Sequence, residues 1–291
     1  MKEPRHNLRP AALATLMMAL IFGSAGIDLP TDSHLLGARV QAQRQPQRPE
    51  LRTIRTVVID PGHGGNNNGT RGATGSQEKD LTLAVAYAVR DELRREHPNL
   101  KVILTRNIDV DLSLPQRIHT AHAAEADLFL SLHMNASTNL TANGLEVFYL
   151  RADKSMPLVS PGEGTWGRGY VEPDPEAVAA GPSHQPDERE LASILADLTL
   201  TRAHQDSAVL ARTLLDELKR SCPRCRSRGV RQDNFGVLRG CRVPAVVVEF
   251  GFLSHNREEK YLVTREAHMR FARAIMRTIE RMDYHFVQSE R

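Results

Sequence analysis

Residues 57–65, Val57-Val58-Ile59-Asp60-Pro61-Gly62-His63-Gly64-Gly65, run from a continuous apolar segment straight into a glycine loop that carries an imidazole. The apolar segment reads as a strand, and His63 stands where that strand ends, as a polar ligand would be held. The stretch Ala126-Asp127-Leu128-Phe129-Leu130-Ser131-Leu132-His133-Met134-Asn135 repeats the device, and Val246-Val247-Val248-Glu249-Phe250-Gly251 repeats it with a carboxylate. Ligands of open α/β sheets bind beyond the carboxyl ends of the strands, so polar residues far apart in sequence can converge there.

Outward from these stretches, strand-like runs at 56–60, 101–105, 127–133, 144–150 and 244–250 alternate with helical ones. The alternation predicts an α/β fold, a twisted and mostly parallel sheet flanked by helices on both faces, with the site at the carboxyl ends of the strands. A first helix follows Glu78, returning Leu81, Val85, Ala88 and Val89 to one face and ending at His97-Pro98-Asn99. Ser113-Leu114-Pro115-Gln116 has capping-box spacing and opens a second helix to about Glu125. Longer helical stretches lie near 188–220 and 263–283. Residues 153–187, rich in Pro, Gly and acids, read as an insertion within the domain, either functional or disordered.

The chain of 291 residues is 41% hydrophobic and 25% charged, enough for one sizeable core. Lys2, Arg5 and Arg9 precede the apolar run from Ala11 to Phe22, with Gly23, Ser24 and Ala25 after it, so residues 1–42 read as a secretory leader cleaved after Ala25 or after Ala42. The run is shorter than the roughly 20 residues that span a bilayer, so the mature chain is expected to have no stable membrane span and to be exported to the periplasm or cell wall. Residues 43–52 read as a linker and 53–285 as the catalytic domain. The leader holds four of the 38 bases and three of the 35 acids, leaving 34 against 32. That balance gives no support to a nucleic-acid partner. Cys222, Cys225 and Cys241 are better read as a local disulfide with one spare thiol than as a metal knuckle, because a structural zinc site takes four ligands.

Two neutral imidazoles and a carboxylate form a three-ligand set for catalytic zinc. His63 and His133 supply the imidazoles, and Glu78 follows the glycine loop at a helix start, where negative charge is favoured. Bound zinc makes amide hydrolysis feasible without a protein nucleophile. A general base is then needed, and Glu249 at the end of its apolar strand is the candidate. Ser131 lacks a G-x-S-x-G context, and the Gly62 to Gly72 loop lacks both nucleotide-binding patterns. His119 and His122 read as helix surface. Arg106 and Arg117 fix either a substrate oxygen or a structural carboxylate such as Asp60 or Asp127.

Val57 to Gly65, Glu78-Lys79-Asp80-Leu81, Thr105-Arg106, Leu114 to Arg117, Ser131 to Ala136 and Pro244 to Ser254 occur in the order seen in the zinc-dependent N-acetylmuramoyl-L-alanine amidases, type 3, which the chain resembles from about 55 to 283. The resemblance implies zinc ligation by His63, Glu78 and His133, catalysis by Glu249, and a peptidoglycan substrate, the amide between N-acetylmuramic acid and L-alanine. Another exported zinc amidase or carboxypeptidase, or a non-catalytic wall-binding protein, are the alternatives. Phe250 departs from the family's small or polar residue and is expected to bear on the pocket wall. Some members carry, after the strand matching 144–150, a helix that covers the zinc until a partner removes it. The segment 153–200, with Glu188 and Glu190, holds that place, which implies an activator protein; a plain solvated loop is the other reading.

Overall fold

The structure, a computed structural model, describes residues 50–151 and 188–289. The leader and the 153–187 insertion lie outside the described residues, as do the side chains of Glu188 and Glu190. Six strands form one sheet in the order β2-β1-β3-β6-β4-β5. They are β1 (Thr56–Pro61), β2 (Lys101–Leu104), β3 (Leu128–Asn135), β4 (Leu145–Leu150), β5 (Ser227–Asp233) and β6 (Ala245–Phe252). The helices are α1 (Glu78–Glu96), α2 (Leu114–Ala123), α3 (Glu188–Ser221), α4 (Asn256–Leu262) and α5 (Arg265–Ser289).

The first four strands of that order pair in parallel; β4 runs antiparallel to β6, and β5 pairs parallel to β4. The sheet is therefore mixed but mostly parallel, as the βα alternation predicts. Alternate residues of each strand serve opposite faces. Val57, Ile59, Leu130, Leu132, Val246, Val248 and Phe250 join α1, α3 and α5 in the larger core. Val58, Phe129, Phe148 and Val247 meet Ile118 and Ala121 of α2 and Val237 and Leu238 of a short 3₁₀ turn in the smaller one. Helices thus cover both faces, and the face of α2 also carries the polar residues of the site.

The capping box at Ser113 forms: Gln116 N–H donates to Ser113 Oγ at 3.4 Å, and Ser113 N–H to Gln116 Oε1 at 2.8 Å. Two elements escape the sequence reading. β5 has the sequence Ser-Arg-Gly-Val-Arg-Gln-Asp, too polar to show a strand pattern, because an edge strand is half-solvated and tolerates charge. α4 is only seven residues long, and its Glu258 and Glu259 are spent on loops. Glu259 accepts from Thr74 N–H, Thr74 Oγ1 and Ser76 Oγ, while Glu258 accepts from Gly144 N–H and Phe252 N–H.

The packed chain starts inside the stretch read as linker. Leu51 is buried, and Asp283 of α5 accepts the N–H groups of Arg52, Thr53 and Ile54 at 2.7–3.0 Å. Cys222 and Cys225 form a disulfide, leaving Cys241 as the free thiol. Burial pushes that thiol up to about 12, so it is unreactive at neutral pH. Among the described residues, no helix is long and apolar enough to cross a membrane.

Candidate metal centre

His63 follows β1 in a backbone conformation with φ of 60°, which few residues other than glycine adopt. Strain of this kind persists only where surrounding groups over-determine it. Here two buried arginines do so. Arg117 Nη2 donates to His63 O at 2.8 Å and Arg106 Nη2 to Gly62 O at 2.9 Å. Both arginines also donate to Pro61 O. Arg117 Nη1 reaches Asp60 Oδ1 at 2.7 Å, and Ser131 Oγ and Thr105 Oγ1 donate to the same carboxylate. Arg117 therefore pairs with Asp60, Arg106 is spent on backbone carbonyls and not on a carboxylate, and Ser131 is spent on Asp60.

Glu78 opens α1 and sits between the two imidazoles. Its Oε1 lies 3.1 Å from His63 Nε2 and 2.9 Å from His133 Nδ1, and it accepts Met134 N–H at 3.0 Å. Thr70 N–H donates to Oε2 at 2.8 Å. Burial works against the Glu78 anion, but the hydrogen bonds from His133 and His63 outweigh it and hold the carboxyl far below its usual range. Burial likewise disfavours a charged His63, yet Glu78 and Asn67 together raise its pKa. Two glycines allow the close approach. A Cβ on Gly62 would lie 2.3 Å from the His133 ring, and one on Gly69 would lie 2.5 Å from Glu78 Oε2.

The ligand atoms of His63, Glu78 and His133 all fall within 4.8 Å of one another. Four-coordinate zinc with bonds of about 2.0–2.2 Å needs ligand atoms roughly 3.3 Å apart, which side-chain adjustment supplies. The residues fit such an ion in another respect. Glu249, the register partner of His133, is buried, and its Oε2 has no hydrogen-bond partner. Burial, with Glu78 and Glu146 nearby, raises the Glu249 pKa well above the usual carboxylate value. A cation beside it would offset that cost.

Sequence reasoning missed two residues here. Asn67 Oδ1 lies 2.9 Å from His63 Nδ1 and also accepts Gly69 N–H, so Nδ1 is the ring nitrogen that donates to Asn67, and Nε2, facing Glu78, is the one turned to the cluster. Its signal was the Asn66-Asn67-Asn68 run inside the glycine loop. Glu146, buried in β4 as the register partner of Glu249, was legible as an acid among Leu145, Val147 and Phe148. Phe250 corrects an expectation. It stacks on Phe271 at 4.4 Å in the larger core, because the residue after Glu249 must face the opposite side of the sheet. His119 and His122 lie on α2, outside the metal cluster.

A mostly parallel α/β domain with a His–Glu–His cluster at its strand ends and a buried glutamate beside it has the donor set of a metal-dependent hydrolase. The chain belongs to the N-acetylmuramoyl-L-alanine amidase family, whose model matches residues 57–281. It is 31% identical to N-acetylmuramoyl-L-alanine amidase AmiC of Neisseria meningitidis over 91% of this chain and 61% of that protein. To AmiA of Escherichia coli it is 34% identical, over 76% of this chain and 73% of that one. The catalytic domain of the amidase CwlV from Bacillus (Paenibacillus) polymyxa superposes with a TM-score of 0.57 at 28% identity, covering 78% of this chain and 96% of that domain.

Proposed function

We propose that this protein is a zinc-dependent amidase that hydrolyses the bond between N-acetylmuramic acid and L-alanine in peptidoglycan, during wall turnover or cell separation. One observation carries the reading: Glu249, with a buried oxygen free of partners, stands in register beside His133 of the His63–Glu78–His133 cluster. His63 Nε2, a Glu78 oxygen and a His133 nitrogen would hold the ion. Zinc bound there supplies a Lewis acid that polarises the amide carbonyl and lowers the pKa of water to about 7.

The chain's own residues do the rest. Glu249 takes the proton of the attacking water on its carboxylate and returns it to the departing alanine nitrogen, acting first as general base and then as general acid. Asn67 keeps the His63 proton on Nδ1, and Arg106 and Arg117 hold the loop that presents the ring. Digestion of purified sacculi with zinc-loaded protein, followed by mass analysis, should release stem peptides with a free L-alanine amine. Loss of terminal residues alone would favour a carboxypeptidase, and no release a wall-binding protein.

Export rests on the leader read at residues 1–42, and places the enzyme in the cell envelope. Regulation rests on chain order: the segment read as an insertion leaves β4, the neighbour of the strand that carries Glu249. A covering segment there predicts that deleting residues 153–187 raises the rate on sacculi several-fold and that an activator protein acts through it. A folded deletion protein of unchanged rate would remove both ideas.

A further inference from the structure

One line of register partners crosses four strands: His133 in β3, Glu249 in β6, Glu146 in β4 and Gly229 in β5. Neighbouring strands stand about 4.8 Å apart, so the β5 end lies roughly 10 Å from Glu249. At that end Gly229 has no side chain, and no heavy atom lies within 4 Å of where a Cβ would be. Arg228 and Arg231 flank the gap. The register shift between Leu145 and Glu146 makes Arg228 an extra residue of β5, which brings it to the same acid as Arg231.

Both guanidiniums are held on Glu146, and that of Arg228 also lies over the Phe252 ring, 5.1 Å from its centroid. Arg228 Nε donates to Glu146 Oε1 at 2.9 Å, and Arg231 Nε stands 3.3 Å from the same oxygen. The Glu146 side chain is 3% exposed, and Asn135 Nδ2 donates to its second oxygen at 2.7 Å. The arginine side chains remain 28% and 49% exposed. Among the described residues neither makes another hydrogen bond. Two cations share one buried anion there, and Glu258 stands close enough to Arg228 to feel its charge. A guanidinium held at Nε presents the planar Nη edge suited to a carboxylate.

We infer that Arg228 and Arg231, oriented by Glu146, form a subsite for a carboxylate of the peptide on the leaving-amine side of the scissile amide. The inference rests on the amidase reading and specifies its substrate as an acidic peptide. An extended peptide advances about 3.3 Å per residue, so a reach near 10 Å selects a carboxylate on the second or third residue of the stem. Glu146 is a positioning residue here: it spaces the two guanidiniums and lowers the cost of holding two cations side by side.

The test compares two synthetic muramoyl tripeptides, one with free carboxylates on its second and third residues and one with those groups as carboxamides. The zinc-loaded protein should prefer the carboxylate substrate by about tenfold to a hundredfold in kcat/KM, mostly through KM, the range of charge-assisted hydrogen bonds. Arg231→Gln should bring that ratio close to one. Calorimetric binding of both peptides to the Glu249→Gln protein should show the same preference, and the same loss when Arg231→Gln is added. Cleavage of both peptides with no preference, or a preference that survives Arg231→Gln, would leave the arginines as mere counter-ions of Glu146 and overturn the subsite while sparing the amidase. Failure to cleave either peptide overturns the amidase reading and the subsite with it.

Discussion

At the scale of single residues, Glu249 is costly to the fold and useful to the chemistry. Its pKa is raised in the folded protein by burial first, then by Glu78 and Glu146. Below the ordinary value of 4.5 the folded and unfolded chains both hold the proton. As pH rises from there towards the raised value, the unfolded chain releases its proton first, and stability falls. Glu249→Gln removes that loss. The metal-free variant should melt above its parent at pH 7 and at the same temperature near pH 4, as read by thermal denaturation. Its amidase rate should drop by about 10²-fold or more, the usual contribution of a positioned acid–base group. A variant that keeps its rate would remove Glu249 from the mechanism. His63 is the counterpart case: a left-handed backbone is stable there because Arg106 and Arg117 hold its neighbouring carbonyls.

At the scale of elements, α5 fastens the start of the domain. Asp283 accepts three successive backbone N–H groups and the Thr53 hydroxyl. Burial opposes its charge, but these bonds prevail and lower its pKa. Its contribution is present above the ordinary value of 3.8 and is lost as pH falls through the lowered one. Asp283→Asn should therefore cost about 1–3 kcal/mol at pH 7, with the gap to the parent narrowing in acid, measured by urea denaturation at a series of pH values. β5 shows why some elements were illegible: its strand identity comes from pairing with β4, with Val230 alone packed on the core while Arg228 and Arg231 serve Glu146. α2 was legible to its first residue because a capping box is a local device.

At the scale of the whole molecule, the three proposed ligands come from the β1 loop, the start of α1 and the end of β3, and the proposed base from β6. Metal binding there would therefore tie together segments from residue 63 to residue 133, and should act as a cross-brace on the fold. Removing metal with a chelator should abolish hydrolysis and lower the melting temperature while far-UV circular dichroism stays close to that of the loaded protein. Zinc should restore both at about one ion per chain, and His63→Ala or His133→Ala should bind none. A chelated protein that retains full activity would exclude the metal mechanism.

The sequence by itself determined the sheet class, the parallel strands, the starts of α1 and α2 and the meeting of His63, Glu78 and His133 beside Glu249. Each is written locally, as an apolar run of strand length, a cap, or a polar residue placed where a strand must end. Only the tertiary structure decided that β4 and β5 join the sheet in the reverse sense, that Phe250 belongs to the core, and that Asn67 and Glu146 stand behind His63 and Glu249. Those facts depend on which strands become neighbours and in what register. A shift of one residue would send Glu249 to the core face and Phe250 to the site, and no local pattern specifies that alignment.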